Sequence, residues 1–114
     1  MCTDQQLASI KHELTNGIKA ALGDKLYQVL LYGSYARGDY DEESDMDFMV
    51  IADVPEAELG RYRKAVNRVA SRTGLKNDML LSVSMMDRTT IYGKRNVLPF
   101  FDAVLTEGEV IYAS

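Results

Sequence analysis

The sequence is poor in cysteine and histidine and contains no long apolar run. Its single cysteine, Cys2, cannot form a disulfide within the chain, which agrees with a reducing compartment. No stretch approaches the roughly 20 consecutive apolar residues that a membrane-spanning helix needs. The first residues lack the basic and then apolar pattern of a signal peptide, so we expect a cytoplasmic protein.

Repeats, linkers and low-complexity segments are also absent from the 114 residues. A chain of this length has room for one domain with one modest core, and 46% apolar residues is ordinary for a globular protein. We therefore expect a single domain over residues 1–114. The formal net charge of -4 argues mildly against binding long nucleic acid through the overall field, but it permits a locally basic site.

Helical and strand-like patterns alternate along the chain. The predicted helices cover residues 3–22, about 55–74 and 98–106, with a short helical piece opening at Asp87, and the predicted strands cover 26–32, 47–52, 78–84 and 110–112. One helix joins the second and third strands, which suits a right-handed crossover and makes these two strands parallel. In that arrangement Asp78, at the start of the third strand, lies near Asp45 and Asp47 at the start of the second.

The stretch from residue 30 to residue 51 has the most distinctive pattern. An apolar strand ends at Gly33 and Ser34, a short connection contains Arg37, and the second strand opens with Asp45 and Asp47. Glycine lets the backbone turn sharply and come close to a ligand because it has no Cβ. The amides at such a turn can face an anion.

Asp45 and Asp47 are one residue apart in a predicted strand, so their side chains point to the same face. Two like charges aimed at one place repel each other and are tolerated best around a cation. Oxygen ligands favour a hard divalent ion, and Mg²⁺ is the usual one in phosphate chemistry. The pattern therefore predicts a metal and phosphate site.

This stretch resembles the signature of the DNA polymerase beta-like nucleotidyltransferase superfamily. The residues that carry the resemblance are Gly33-Ser34, Arg37-Gly38, Ser44-Asp45 and Asp47. The full sequence of residues 33–40, followed by the Ser-Asp-x-Asp motif, resembles that of the minimal nucleotidyltransferases, which include the MntA-type antitoxins. The resemblance implies an α/β (α+β) fold in a single domain, with a small mixed sheet packed by helices.

The resemblance also implies roles for individual residues. Asp45 and Asp47 are expected to bind two Mg²⁺ ions, and a third carboxylate comes from a later strand. Asp78 is the best match for that third metal-binding and catalytic residue, with Asp87 as the alternative. The terminal phosphates of the ATP substrate are expected to contact Gly33, Ser34 and Arg37. Asp39 and Ser44 are candidates for supporting roles. Tyr35 and Tyr40 fit surface positions in a turn, with contact to substrate as the alternative.

The resemblance implies transfer of AMP from ATP to a tyrosine of a HEPN-type helical toxin, which is expected to be encoded nearby, with this chain as the antitoxin. A small-molecule nucleotidyltransferase of the aminoglycoside-modifying type is one alternative. A protein that has kept the fold but inhibits its partner by contact alone is another. The complete set of glycine, serine, arginine and paired aspartates counts against the second alternative.

The helix expected at 55–74 carries a basic stripe, which consists of Arg61, Lys64, Arg68 and Arg72. This spacing is typical of a solvated helix face with cations towards the C-terminal end. It is also compatible with docking of an acidic partner or a polynucleotide. The sequence leaves both interpretations open.

Overall fold

The computed structural model describes residues 3–38 and 45–114. Within them the strands form one mixed sheet in the order β3-β2-β1-β4. β1 is antiparallel to both β2 and β4, and β2 is parallel to β3, as the crossover argument predicted. The strand bounds are β1 Leu26–Tyr32, β2 Met46–Ala52, β3 Leu81–Asp87 and β4 Glu109–Ala113.

Helices cover both faces of this sheet. One face packs against α1 and α3, and the other packs against α4 and α5. The helix bounds are α1 Asp4–Leu22, α2 Ser34–Arg37, α3 Gly60–Asn77, α4 Arg88–Gly93 and α5 Pro99–Glu107. None of the helices in the described part of the chain combines the length and apolarity that crossing a membrane requires.

An apolar core fills the space between the sheet and the helices on each of its two faces. In β1, Val29 and Leu31 face α1 and α3, while Leu30 joins the core beside α5. In β2, Phe48 faces the first core and Met49 the second. Burial on both faces explains why these strands show no polar alternation in the sequence.

Helix α1 begins and ends at the capping residues from which its bounds were predicted. Thr3 accepts a hydrogen bond through its side chain from the Gln6 amide at 3.0 Å, which caps the first turn. Gly23 ends the helix in a positive-φ conformation at 60°. The predicted bounds of α1 and β1 are confirmed.

The junction between α3 and β3 differs from the prediction. α3 passes through Gly74 and ends at Asn77, and β3 starts at Leu81 rather than Asp78. Gly74 is needed for close packing, because a Cβ there would lie 2.6 Å from the Met79 carbonyl oxygen. Asp78 ends the helix in the left-handed conformation, with φ 52°. The placement of Asp78 in a strand was therefore wrong.

A close contact between Gly17 in α1 and Val69 in α3 gives a stability test. A Cβ on Gly17 would overlap Val69 Cγ1, and Val69 is stiff because it is β-branched. We expect Gly17→Ala to lower the free energy of unfolding by about 1–3 kcal/mol through overpacking. In a Val69→Ala background the same change should stabilise by about 1 kcal/mol, since alanine favours helix more than glycine does.

Urea unfolding of the four proteins in this cycle measures both effects. Equal destabilisation by Gly17→Ala in the two backgrounds would show that the contact with Val69 does not set the residue at position 17.

Candidate active site

The candidate active site lies at the sheet edge where β1 ends and where β2 and β3 begin. Tyr32 is the antiparallel partner of Asp47, and Ser82 is the parallel partner of Asp47 on the other side. Residues in register on neighbouring strands project to the same face of a sheet. One row therefore holds an aromatic ring, a carboxylate and a hydroxyl side by side.

Alternation along β2 places this row on the face covered by α4 and α5. Met49 and Ile51 belong to the core on that face, so Asp47, two residues before Met49, points the same way. Asp45 precedes the strand, is exposed and is close enough to influence the charge on Asp47. The structure therefore brings these two predicted carboxylates together.

Gly33 comes closer to Asp47 than any other residue type could. It follows β1 with φ 75°, and a Cβ on it would lie 2.6 Å from Asp47 Oδ2. Ser34 then opens α2, which Gly38 ends in the left-handed conformation with φ 81°. The first amides of a helix have no partners within it and favour a nearby anion. The geometry thus places a helix start beside the carboxylates.

The charges and burial at the site raise the pKa of Asp47. Burial raises the pKa of its carboxyl group above the usual value, the charge of Asp45 raises the pKa further, and Arg37 opposes the shift. A raised pKa means that the fold favours the protonated form, so this contribution to stability is present at low pH. It is lost as pH rises through the shifted pKa. At neutral pH a bound cation would offset the repulsion.

The residues at this edge fit a magnesium ion. They supply two carboxylates, and Mg²⁺ is commonly bound through one or two carboxylates together with substrate phosphates and water. Within residues 3–38 and 45–114, no group of three or more histidine, cysteine, aspartate or glutamate side chains is placed to hold a metal. Asp45 and Asp47 would hold the ion, and Gly33, Ser34 and Arg37 lie where phosphates could reach it.

Neither candidate for a third carboxylate is in the row of Asp47. Asp78 is exposed at the end of α3, and Ser82 occupies the position on β3 that faces Asp47. The role of Asp78 stays a prediction. Asp87 is opposite Ala52 at the far end of β3, where it caps α4. At about 3.3 Å per residue along a strand, Asp87 is too distant from Asp47 to share an ion, so this alternative was wrong.

Sequence reasoning missed the aromatic side chains beside the carboxylates. The side chain of Tyr32 reaches across β2 towards Ser84, whose hydroxyl lowers the pKa of Tyr32. Burial, and then the charge of Asp47, raise the pKa of Tyr32. Phe100 meets Tyr32 edge to face, with 5.7 Å between ring centroids, and is half exposed. Alternation at the end of β1 and the Ser-x-Ser pattern in β3 were the available signals.

The remaining candidates are placed as follows. Tyr35 is buried among the residues that pack α1 and α3 on the sheet, so it is not a surface turn residue, and its burial does not support the alternative of a substrate contact. Asp39, Tyr40 and Ser44 are outside the described residues.

Comparison with known proteins identifies the class of this chain. Residues 15–94 match the model of the nucleotidyltransferase domain family, so the chain belongs to that family. It is a nucleotidyltransferase of the minimal type, as the resemblance predicted. "Putative protein adenylyltransferase MJ0141" of Methanocaldococcus jannaschii is 39% identical over 103 residues, which cover 90% of this chain and 96% of that protein. MJ0604 of the same organism, with the same descriptive name, is 30% identical over 88% of this chain and 92% of its own length.

Solved structures share the fold at low sequence identity. A toxin–antitoxin crystal structure with AMP-PNP gives a TM-score of 0.56 at 20% identity and covers 91% of this chain and 73% of that chain. A mutant of the MntA-HpeT toxin–antitoxin also gives a TM-score of 0.56, at 18% identity and with the same coverage. These likenesses confirm the predicted α/β fold with a small mixed sheet.

Two glycines give a matched test of the close approach to Asp47. Gly33 and Gly38 both have positive φ, but a Cβ on Gly38 meets no atom within 4 Å. Alanine at position 38 should lower the free energy of unfolding by about 1–2 kcal/mol because the backbone there is left-handed. Alanine at position 33 should cost about 1–3 kcal/mol, because φ 75° with ψ -152° is a conformation that is almost restricted to glycine. Only Gly33→Ala should also move the Asp47 carboxylate and weaken Mg²⁺-dependent ATP binding, by about tenfold or more.

Calorimetric titration with a non-hydrolysable ATP analogue, together with chemical denaturation, measures the two effects separately. If Gly38→Ala weakened nucleotide binding as much as Gly33→Ala, backbone strain rather than the contact with Asp47 would be the cause.

Proposed function

We propose that this chain is a metal-dependent protein adenylyltransferase that transfers AMP from ATP to a tyrosine of a HEPN-type toxin and acts as its antitoxin. The observation that carries the proposal is the contact between Gly33 and Asp47, which joins the phosphate-facing turn to the carboxylates. The names of the relatives from Methanocaldococcus jannaschii support adenylyl transfer to protein. The toxin–antitoxin neighbours support the partner class.

In the proposed reaction, the phenolic oxygen of the acceptor tyrosine attacks the α-phosphorus of ATP. A new O–P bond forms, the bond from the α-phosphorus to the oxygen bridging to the β-phosphate breaks, and pyrophosphate leaves. When bound, Mg²⁺ neutralises phosphate charge and lowers the pKa of an attacking hydroxyl. The two ions predicted from the family resemblance would be bound by Asp45 and Asp47.

The residues of this chain would orient the reactants and stabilise charge. Gly33 and Ser34 would contact the terminal phosphates through amides and a hydroxyl, and Arg37 would add a charge-assisted contact. Arg37 lowers the pKa of Asp47, which supports a position of Arg37 close to the carboxylates. We keep Asp78 as the candidate for the carboxylate that takes up the phenolic proton. It lies two residues before Leu80, whose carbonyl oxygen accepts from the amide of Met46.

Intact mass spectrometry tests this function. The chain and the product of its neighbouring gene are incubated with ATP and Mg²⁺, and each mass is measured. We expect the partner to gain whole AMP units, and the gain should disappear with Asp47→Asn because one of the two carboxylates at the edge is then neutral. Peptide mapping should place the AMP on tyrosine. Removal of divalent ions with EDTA should abolish the gain.

Other outcomes would redirect the assignment. Nucleotide binding without any AMP on the partner would favour a small-molecule acceptor. Absence of nucleotide binding, with the partner still inhibited by Asp45→Asn, would favour inhibition by contact alone. Either result would contradict the proposed transfer.

A further inference from the structure

Within the described fold, helix α3 has a strong excess of positive charge. It contains six of the thirteen lysines and arginines of the chain and none of the seventeen acidic residues. The protein as a whole carries a net charge of -4, so this basic helix stands against an acidic background. Among the described residues, Arg68 and Arg72 make no ion pair, and both are exposed. Their charge is available to a partner.

An apolar cavity continues this basic surface. Leu75 follows Arg72 by one helical step on the same side of α3 and is 85% exposed. Together with Leu80, which is 73% exposed, it lines an open cavity of about 460 Å³ between the end of α3 and the start of β3. The lining is mostly apolar and also includes Asp78. Two large aliphatic side chains left this open beside a cavity are typical of an interaction surface.

The cavity lies next to the active-site edge. The carbonyl oxygen of Leu80 accepts a hydrogen bond from the amide of Met46 at 3.1 Å, directly beside Asp45. Leu80 is two residues before Ser82, which is the register partner of Asp47. The cavity is on the side of the sheet that α3 covers, whereas Asp47 points to the side covered by α4 and α5. A protein bound at this cavity would therefore reach the carboxylates around the starting ends of β2 and β3.

We propose that the acceptor protein docks on this surface, which we name the α3 docking face and define as Arg61, Lys64, Arg68, Arg72, Leu75 and Leu80. The occupant is an acidic amphipathic helix of the partner. Its carboxylates pair with the arginines, and an apolar side chain enters the cavity between Leu75 and Leu80. This inference rests on the proposed function, because it assigns a place to the protein that supplies the acceptor tyrosine.

Charge and apolarity together favour a protein over a nucleic acid. A single-stranded nucleic acid is usually bound by a basic groove with aromatic side chains on which bases stack. The docking face offers aliphatic side chains instead, and the tyrosine of α3, Tyr62, is partly buried in the core below. Carboxylates combined with an aliphatic anchor match both features of the surface.

Calorimetric titration without ATP tests the docking face separately from catalysis. The titrant is the product of the neighbouring gene, and the test variant is Arg68→Glu with Arg72→Glu. The matched control reverses two other exposed cations, Lys25→Glu with Lys94→Glu, and so changes net charge by the same amount. We expect the test variant to weaken binding by about tenfold or more at low salt, and the control to change it little.

The apolar part of the surface has its own matched pair. Leu75→Gln should weaken partner binding by about fivefold or more, because it removes an apolar contact from the cavity. Val97→Gln changes a similarly exposed residue, at 76%, outside the docking face and should have little effect. The loss from Leu75→Gln should persist at high salt, whereas the loss from the arginine reversals should shrink. Thermal unfolding of each variant verifies that it folds.

The outcomes separate this inference from the proposed function. Partner binding that the docking-face variants weaken supports the surface even if no AMP is transferred. Absence of partner binding by the unaltered chain, or unchanged binding by the arginine and leucine variants, would overturn it even if AMP is transferred. Binding of a 20-nucleotide single-stranded RNA, measured by fluorescence anisotropy, tests the alternative that the surface binds nucleic acid. RNA binding lost on arginine reversal, with partner binding unchanged, would reassign the stripe to nucleic acid.

Discussion

The close approach of the Gly33 backbone to the Asp47 carboxylate determines how the active-site edge is built. The approach depends on two features: a glycine with positive φ immediately after β1, and the antiparallel register that places Tyr32 opposite Asp47. A side chain at position 33 would occupy the space of the carboxylate oxygen. The site therefore depends on backbone geometry as much as on the charged residues themselves.

The sheet divides structural and chemical roles between its two faces. The face towards α1 and α3 is filled by apolar side chains along the whole of β2, including Met46 and Phe48. On the other face, apolar packing against α5 stops at Met49, and polar groups continue to the edge. Because the two faces belong to the same strands, the deep core fixes the positions of Asp45 and Asp47. Their mutual repulsion is then tolerated without disturbing the packing.

Much of this arrangement could be predicted from local sequence. Thr3 and Gly23 mark the ends of α1, and the apolar runs of β1 and β2 indicate strands buried on both faces. The proximity of Asp45 to Asp47 was also predictable, since strand alternation is a local property. The approach of Gly33 to Asp47 depends in addition on the register between β1 and β2, which is not local.

The errors arise where a residue type has two uses. Gly74 has the sequence pattern of a helix end, but it lies inside α3 because the Met79 carbonyl packs against it. This shift of three residues moves Asp78 out of β3 and places Ser82 opposite Asp47. The position of Tyr32 beside Asp47 depends on register, and the position of Phe100 against Tyr32 depends on how α5 packs. Neither is a local property. They could not be derived from the order of residues alone.

The most direct test of the account is where a metal ion and a triphosphate bind. Crystals grown with Mn²⁺ and a non-hydrolysable ATP analogue would locate the metal by its anomalous scattering. The account predicts a peak between the carboxylates of Asp45 and Asp47, with the terminal phosphates beside Gly33 and Ser34. A peak away from both carboxylates, or a triphosphate bound elsewhere on the sheet, would contradict it.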